Sequence, residues 1–135
     1  MPTNDITFTL FLPTKNEING VTKIFPQIDP NWVDEILVID GSSTDGTKEY
    51  FLDNGVKVYT QQSNGIAGAY WEAIEKASGD YIISFSPDNN SIPELIPKVI
   101  EEVKRGYDMV VVSRYLDGAR SYDDDLITGF GNWMF

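Results

Sequence analysis

Apolar runs too short for helices alternate along this chain with segments whose apolar residues recur at helical spacing, the pair repeating roughly every twenty to thirty residues. Ile6 to Leu12 reads as a first strand, stopped by Pro13. Lys15, Asn16 and Glu17 then lead through Asn19 and Gly20 into a short helix over Val21 to Ile28, closed by Asp29-Pro30. Glu35 to Asp40 is a second strand; the polar turn Gly41 to Asp45 follows, with Thr44 or Asp45 as N-cap of a helix to Asp53. Asn54-Gly55 signals a turn, and Val56 to Gln61 alternates as a third strand. Asn64 to Gly68 reads as a glycine-bearing loop, and Ala69 to Ala77 as a helix ended by Ser78-Gly79. Tyr81 to Phe85 is a fourth strand, Pro93 to Arg105 a helix, and Asp108 to Ser113 a fifth strand. From Tyr115 the pattern fails: Leu116 to Asp125 is polar, and Leu126 to Phe135 begins an apolar, aromatic helix without a cap.

Strands separated by helices imply right-handed crossovers and a parallel sheet covered on both faces, a three-layer α/β/α sandwich. Ligands of such sheets bind beyond the carboxyl ends of the strands. Those ends carry Pro13 to Glu17, Asp40 to Asp45, Ser86 to Asn90, and Arg114. A boundary is expected at 115/116, with residues 1–115 as the α/β domain and 116–135 as the start of a further, incomplete segment.

The loop that follows the fourth strand holds the densest chemistry. Ser86, Asp88 and Asn90 bring three oxygen-bearing side chains to alternate positions, a spacing that lets a hard divalent cation gather several of them. The same PDNN tetrapeptide also reads as a polar turn capping the next helix.

Composition narrows the chemistry. The chain has 135 residues, no cysteine and no histidine, so thiolate metal sites, disulfides and imidazole bases are excluded. Acid–base work and metal binding fall to carboxylates, amides and hydroxyls, which favours magnesium or manganese over zinc. Twenty-one acidic against ten basic residues give a net charge of −11, which opposes nucleic acid and anionic membrane surfaces as partners. A phosphate ligand therefore needs local help from a bound cation, helix N-termini or placed arginines. The N-terminal stretch lacks the pattern of a secretion signal, and no apolar run reaches transmembrane length.

Four motifs, PTKNE at Pro13–Glu17, VIDGSSTDGT at Val38–Thr47, SPDNNSIPE at Ser86–Glu94 and SRY at Ser113–Tyr115, occur in this order at strand ends. Together they resemble the N-terminal nucleotide-binding part of a family 2 glycosyltransferase of the GT-A fold, closest to the dolichyl- or polyprenyl-phosphate sugar transferases. The resemblance implies a nucleotide-diphosphate sugar as donor and a lipid phosphate or a saccharide as acceptor. It implies that Pro13, Thr14, Glu17 and Asp40 cradle base and ribose, with Ser86, Pro87 and Arg114 completing the nucleotide-binding set. Magnesium or manganese is the implied cofactor, held by Asp88 and Asn90. Asp45 reads as a helix cap, and Lys15 either as a phosphate contact or as a solvated lysine.

The chain departs from the resembled pattern at Ser86, where the first aspartate of the metal motif is usual. With one carboxylate in place of two, metal affinity is expected to fall or to depend on the substrate diphosphate. Asp88 is the implied catalytic residue on the donor side. If the acceptor is a hydroxyl, one of Asp123, Asp124 or Asp125 would take its proton, with Asp124 the candidate; a lipid phosphate, already ionised, needs no such base. Membrane association is expected only through regions outside this chain, in an otherwise cytoplasmic protein. Oligomeric state has no signal in the sequence. The competing readings are a receiver-like α/β signalling module and a degenerate nucleotide-sugar-binding domain. Receivers cluster acids after the first and third strands, whereas here they follow the second and fourth. A Rossmann dehydrogenase would need GxGxxG after the first strand, which is absent.

Overall fold

The computed structural model describes residues 5–113, and the chain divides into two compact units, Met1–Pro97 and Lys98–Phe135. The first unit alternates β1 (Phe8–Thr14), α1 (Ile18–Ile24), β2 (Glu35–Asp40), α2 (Thr47–Asp53), β3 (Lys57–Thr60), α3 (Gly65–Lys76) and β4 (Tyr81–Ser84). Two short 3-10 turns, Phe25–Gln27 and Pro30–Trp32, link α1 to β2. The final described helix, α4, spans Leu95–Lys104 and buries Ile96, Ile100 and Val103, spaced at helical intervals.

All four strands are parallel, in the order β3-β2-β1-β4. The chain steps from β1 to β2 to β3 in one direction and then returns past β1 to place β4 on its other side. Right-handed crossovers therefore put α1 and α2 on one face and α3 on the other. The packing agrees. Phe25 meets Phe51 of α2 edge-to-face at 5.1 Å between ring centres, while Ala69 and Ala73 of α3 pack on Phe11, Leu37 and Ile39. The alternate residues Leu10, Leu12 and Val38 are buried on the other face of the sheet. The expected three-layer architecture is thus the observed one.

The first helix runs over Ile18–Ile24 rather than Val21 to Ile28, and Pro13, the start of α3 and residues 108–113 also depart from the pattern reading, each of these for a physical reason. Pro13 lies inside β1 rather than ending it. Phe11 turns its carbonyl toward β4, accepting from the Phe85 N–H at 3.0 Å, so Pro13 faces the same side two residues on, beyond the last β4 rung at Ser84. No ladder donor is missed there. The helix α3 starts at Gly65 instead of Ala69. Gly65 adopts φ +73°, and Gly68 is glycine because a Cβ would meet Ser63 Cβ at 2.7 Å. Gly65 thus serves a left-handed backbone and Gly68 close packing, and neither breaks the helix. The expected fifth strand, Asp108–Ser113, is not a strand: its Met109, Val111 and Val112 are exposed, and β-propensity without a ladder does not make one. The expected boundary at 115/116 lies outside the described residues.

At the amino end of the sheet Glu35 ties three elements together. Its Oε2 accepts from Thr9 Oγ1 at 2.7 Å and from the Ser78 N–H at 2.8 Å, and its Oε1 pairs with Lys57 Nζ at 2.7 Å. Burial pushes this carboxyl up, but hydrogen bonds from Lys57, Ser78 and Thr9 outweigh it and bring the pKa to about 2.

At the carboxyl end, the β2–α2 loop supports the β1–α1 loop. Asp40 is fully buried; its Oδ1 accepts from the Ser43 hydroxyl at 2.6 Å and its Oδ2 from the Ser43 N–H at 2.9 Å. The same Ser43 oxygen accepts from the Asn16 N–H at 2.9 Å, and Asn16 Oδ1 accepts from the Thr44 N–H at 2.8 Å. Asn16 is held at φ +54°, in the left-handed region that asparagine tolerates. Asp45 accepts from the N–H groups of Ile18 and Thr47, and Thr47 Oγ1 accepts from the Glu17 N–H at 3.0 Å. The N-cap of α2 is Gly46 rather than Thr44 or Asp45, and from just before it the Asp45 carboxylate serves the first turns of both α1 and α2.

Two predictions follow from these anchors. The folded pKa of Glu35 lies below its ordinary 4.5, so its stabilisation is present above that value and is lost as the pH falls toward about 2. Urea unfolding across that range should show Glu35→Gln losing less stability than the unaltered chain, whereas parallel pH profiles would contradict the assignment. Ser43→Ala removes the hydroxyl bond to Asp40 Oδ1 while that carboxylate stays buried, leaves the Asn16 N–H without its acceptor, and should destabilise by about 1–3 kcal/mol, read as a lower urea midpoint at unchanged slope.

Candidate functional site

A parallel sheet opens a crevice where neighbouring strands send their connections to opposite faces. Here that point lies between β1, whose connection goes to α1, and β4, which is reached from α3 on the other face. A cleft of about 540 Å³ occupies this carboxyl end of the sheet. The end of β1 contributes Pro13 and Thr14, and the β1–α1 loop Lys15 and Glu17; the β2–α2 loop contributes Gly41 and Ser42. Gln61, Gln62, Ser63, Asn64 and Gly65 form a wall after β3, Ile66 and Ala69 of α3 add an apolar side, and Ser86, Pro87 and Asp88 close the cleft after β4.

The structure thus brings together Pro13, Thr14, Glu17, Ser86, Pro87 and Asp88 of the expected set. Asp40 is adjacent but has no exposed surface; its oxygens are turned to Ser43 and, at 3.3 Å, to the Thr14 hydroxyl. Its neighbours Ile39, Gly41 and Ser42 line the cleft in its place. Asn90 is exposed and outside the lining, and its backbone N–H donates to Asp88 Oδ1 at 2.9 Å. Arg114 and Asp124, with Asp123 and Asp125, lie outside the described residues.

Asp88 is fixed from two directions. Its Oδ1 accepts the Asn90 N–H, and the Ser91 hydroxyl lies between this oxygen, at 3.1 Å, and the Ser86 carbonyl. The loop is also pressed onto α1. A Cβ at Gly20 would stand 2.8 Å from the Pro87 carbonyl and 2.9 Å from Asp88 Cα, closer than real contacts allow. Only glycine at position 20 lets the Pro87–Asp88 peptide sit against the helix.

The electrostatics are acidic with one cation. Burial first, and then the negative charges of Asp88 and Asp45, push the Glu17 carboxyl above its usual range. Lys15 is the single basic residue among the described lining residues, its stem lying over Gly41, where a Cβ would come within 3.3 Å of it. Ser42 is held at φ +60°, a strained conformation for serine and of the kind found at ligand-contacting turns.

Among the described residues there is no cluster of three histidine, cysteine, aspartate or glutamate side chains to cage a metal by themselves. The donor set is nevertheless that of a hard cation. Asp88 and Glu17 both border the cleft, Glu17 is close enough to feel the charge of Asp88, and the chain has neither histidine nor cysteine to add a nitrogen or sulfur donor. Magnesium or manganese is commonly held in this way, by one or two carboxylates with the substrate's phosphates completing the shell. The residues present therefore fit a divalent ion that arrives with a diphosphate.

Sequence reasoning missed the Gln61–Gly65 wall, Gly20 and the Ser43–Asn16 bond. The polar run QQSNG at the end of β3 was a signal for the wall, since that loop belongs to the same rim. No pattern marked Gly20, because what it accommodates is distant in sequence.

Comparison with known proteins agrees with this geometry. The pattern of "Glycosyl transferase family 2" matches residues 9–134. A dolichol-phosphate mannosyltransferase of Pyrococcus furiosus is 33% identical over 83% of this chain and 34% of its own length. The glycosyltransferase AglJ of Haloferax volcanii is 32% identical over 87% of this chain and 39% of its own. The chain thus spans little more than a third of the curated relatives it matches. Among solved structures, glucosyl-3-phosphoglycerate synthase of Mycobacterium tuberculosis, crystallised with Mn2+, UDP-glucose and glycerol 3-phosphate, superposes with a TM-score of 0.69. It is 25% identical, over 76% of this chain and 41% of that one. Mannosyl-3-phosphoglycerate synthase of Rubrobacter xylanophilus gives a TM-score of 0.66 at 27% identity, over 73% of this chain and 36% of its own. With nearly its whole length matched by the family pattern and its sheet shared with these enzymes, the chain belongs to glycosyl transferase family 2.

Proposed function

We propose that this chain is the donor-binding part of a transferase that moves a sugar from a nucleoside diphosphate to a lipid phosphate. The observation that carries the reading is the cleft between β1 and β4, in which Lys15, Glu17 and Asp88 converge at the strand ends. Pro13, Thr14 and the Gly41–Ser42 turn offer a floor for base and ribose, whose N–H and hydroxyl groups seek oxygen acceptors. Asp40 supports that floor through Ser43 and Thr14. Ser86 and Pro87 lie beside the path of the diphosphate, and Lys15 supplies a cation to its oxygens.

Asp88, with Glu17 beside it, would hold the divalent ion. The ion when bound supplies positive charge for the departing diphosphate. Asp88 is the donor-side residue of the reaction in this reading, its carboxylate held in place by the Asn90 N–H and Ser91. In the transfer, the bond between the anomeric carbon and the diphosphate oxygen breaks with its electron pair leaving on oxygen. An oxygen of the acceptor phosphate forms the new bond. That acceptor is already an anion and requires no base. The lipid-phosphate acceptor is supported by the names of two sequence relatives, a dolichol-phosphate mannosyltransferase and an undecaprenyl-phosphate transferase of Aeromonas hydrophila. No helix among the described residues is long and apolar enough to cross a membrane.

Calorimetric titration with UDP- and GDP-sugars is expected to give binding that requires Mn2+ or Mg2+, and heat-free titrations with every donor would contradict the reading. Asp88→Asn should weaken metal-dependent binding by about tenfold or more with little change in unfolding midpoint. Gly20→Ala forces the Pro87–Asp88 peptide away from α1; overpacking of this kind costs about 1–3 kcal/mol, and it should weaken donor binding as well.

A further inference from the structure

We propose that Glu72, two turns into α3 and outside the lining of the main cleft, is a positioning residue that fixes the Gln61–Gly65 wall for the nucleotide diphosphate. The inference rests on the reading of that cleft as a nucleotide site. Glu72 Oε1 accepts three hydrogen bonds from the wall: from the Gln62 N–H at 2.9 Å, the Ser63 N–H at 2.7 Å and the Ser63 hydroxyl at 2.6 Å. Hydrogen bonds from Ser63, hydroxyl first and then amide, hold its carboxyl below the usual range against the opposing effect of burial, so the acceptor is ionised near neutral pH.

An independent feature of the chain points the same way. Ser63 lies so near α3 that a Cβ at Gly68 would stand 2.7 Å from Ser63 Cβ, so the helix surface is hollowed to admit the residue Glu72 grips. The wall's other amides are spent inside it: Gln61 Nε2 donates to the carbonyls of Ser63 and Gly65, and Gln62 Nε2 to that of Thr60. Asn64, at the start of α3, makes no side-chain capping bond and borders the cleft. Glu72 Oε2, meanwhile, is buried without a partner among the described residues. The residue thus bears a desolvation cost on one oxygen while the other organises a ligand-facing loop.

The test compares the unaltered chain with Glu72→Ala and Glu72→Gln, using UDP and GDP with Mn2+ as probes and amide hydrogen exchange as a second readout. Glu72→Ala is expected to speed exchange at Gln62 and Ser63 by about tenfold or more and to weaken nucleotide binding by about tenfold, as for one charge-assisted hydrogen bond lost. Glu72→Gln, which keeps an acceptor, should recover most of both. Unchanged exchange at these amides overturns the clamp, and faster exchange with undiminished binding overturns its role toward the ligand. Failure of the unaltered chain to bind either probe overturns the nucleotide reading and the ligand half of this proposal with it, while the exchange measurement still decides the clamp.

Discussion

The constraint on which the structure depends is the reversal of strand order at β1. Two right-handed crossovers carry the chain away from β1 on one side of the sheet, and the third brings it back to the opposite edge. The connection that brings the chain to β4 therefore lies on the face opposite α1, and a crevice opens at the carboxyl ends of the strands. Everything chemically distinctive in the described residues borders that crevice. The amino end of the sheet, by contrast, is closed by Glu35, Asp34 and Asp80, whose carboxylates are spent on backbone and hydroxyl donors of neighbouring segments.

The crevice is kept open and in register by short polar bonds rather than by apolar packing. Ser43 passes the buried charge of Asp40 to the backbone of Asn16, Asp45 does the same for the first turns of α1 and α2, and Glu72 grips the loop after β3. Each is a carboxyl group accepting from N–H or O–H donors, an arrangement that fixes direction as well as distance. Loops held this way present the same groups to a ligand without ordering cost at the moment of binding, the condition for a preorganised site. Gly20 adds the steric half of the device, since the Asp88 loop can rest on α1 only where no side chain intervenes.

Much of this was legible in the chain. The alternation of apolar runs with helical segments gave the parallel sheet and its covered faces, and β2 was bounded correctly at Glu35 and Asp40 because its ends are polar. The rim loops were legible as well, since Pro13–Glu17 and Ser86–Asp88 follow strands by sequence alone. Less legible were features that depend on distant partners. Asp40 reads from sequence as a free carboxylate at a strand end, and only the fold reveals Ser43 and Thr14 closing over it. Gly65 and Gly68 read as a loop because nothing local announces that Ser63 packs against the helix. Asp108–Ser113 has the composition of a strand, but composition does not supply a neighbour to pair with.

In the proposed donor site a divalent ion and a nucleoside diphosphate meet at the carboxyl ends of the strands. Paramagnetic line broadening by Mn2+ in amide spectra, recorded with UDP or GDP and compared with Mg2+, tests this most directly. Broadening is expected to centre on Asp88 and Glu17 and to reach Lys15, Ser42 and Asn64. Broadening centred instead on the acidic amino end of the sheet, around Asp34 and Glu35, or spread evenly over the surface carboxylates, would contradict it.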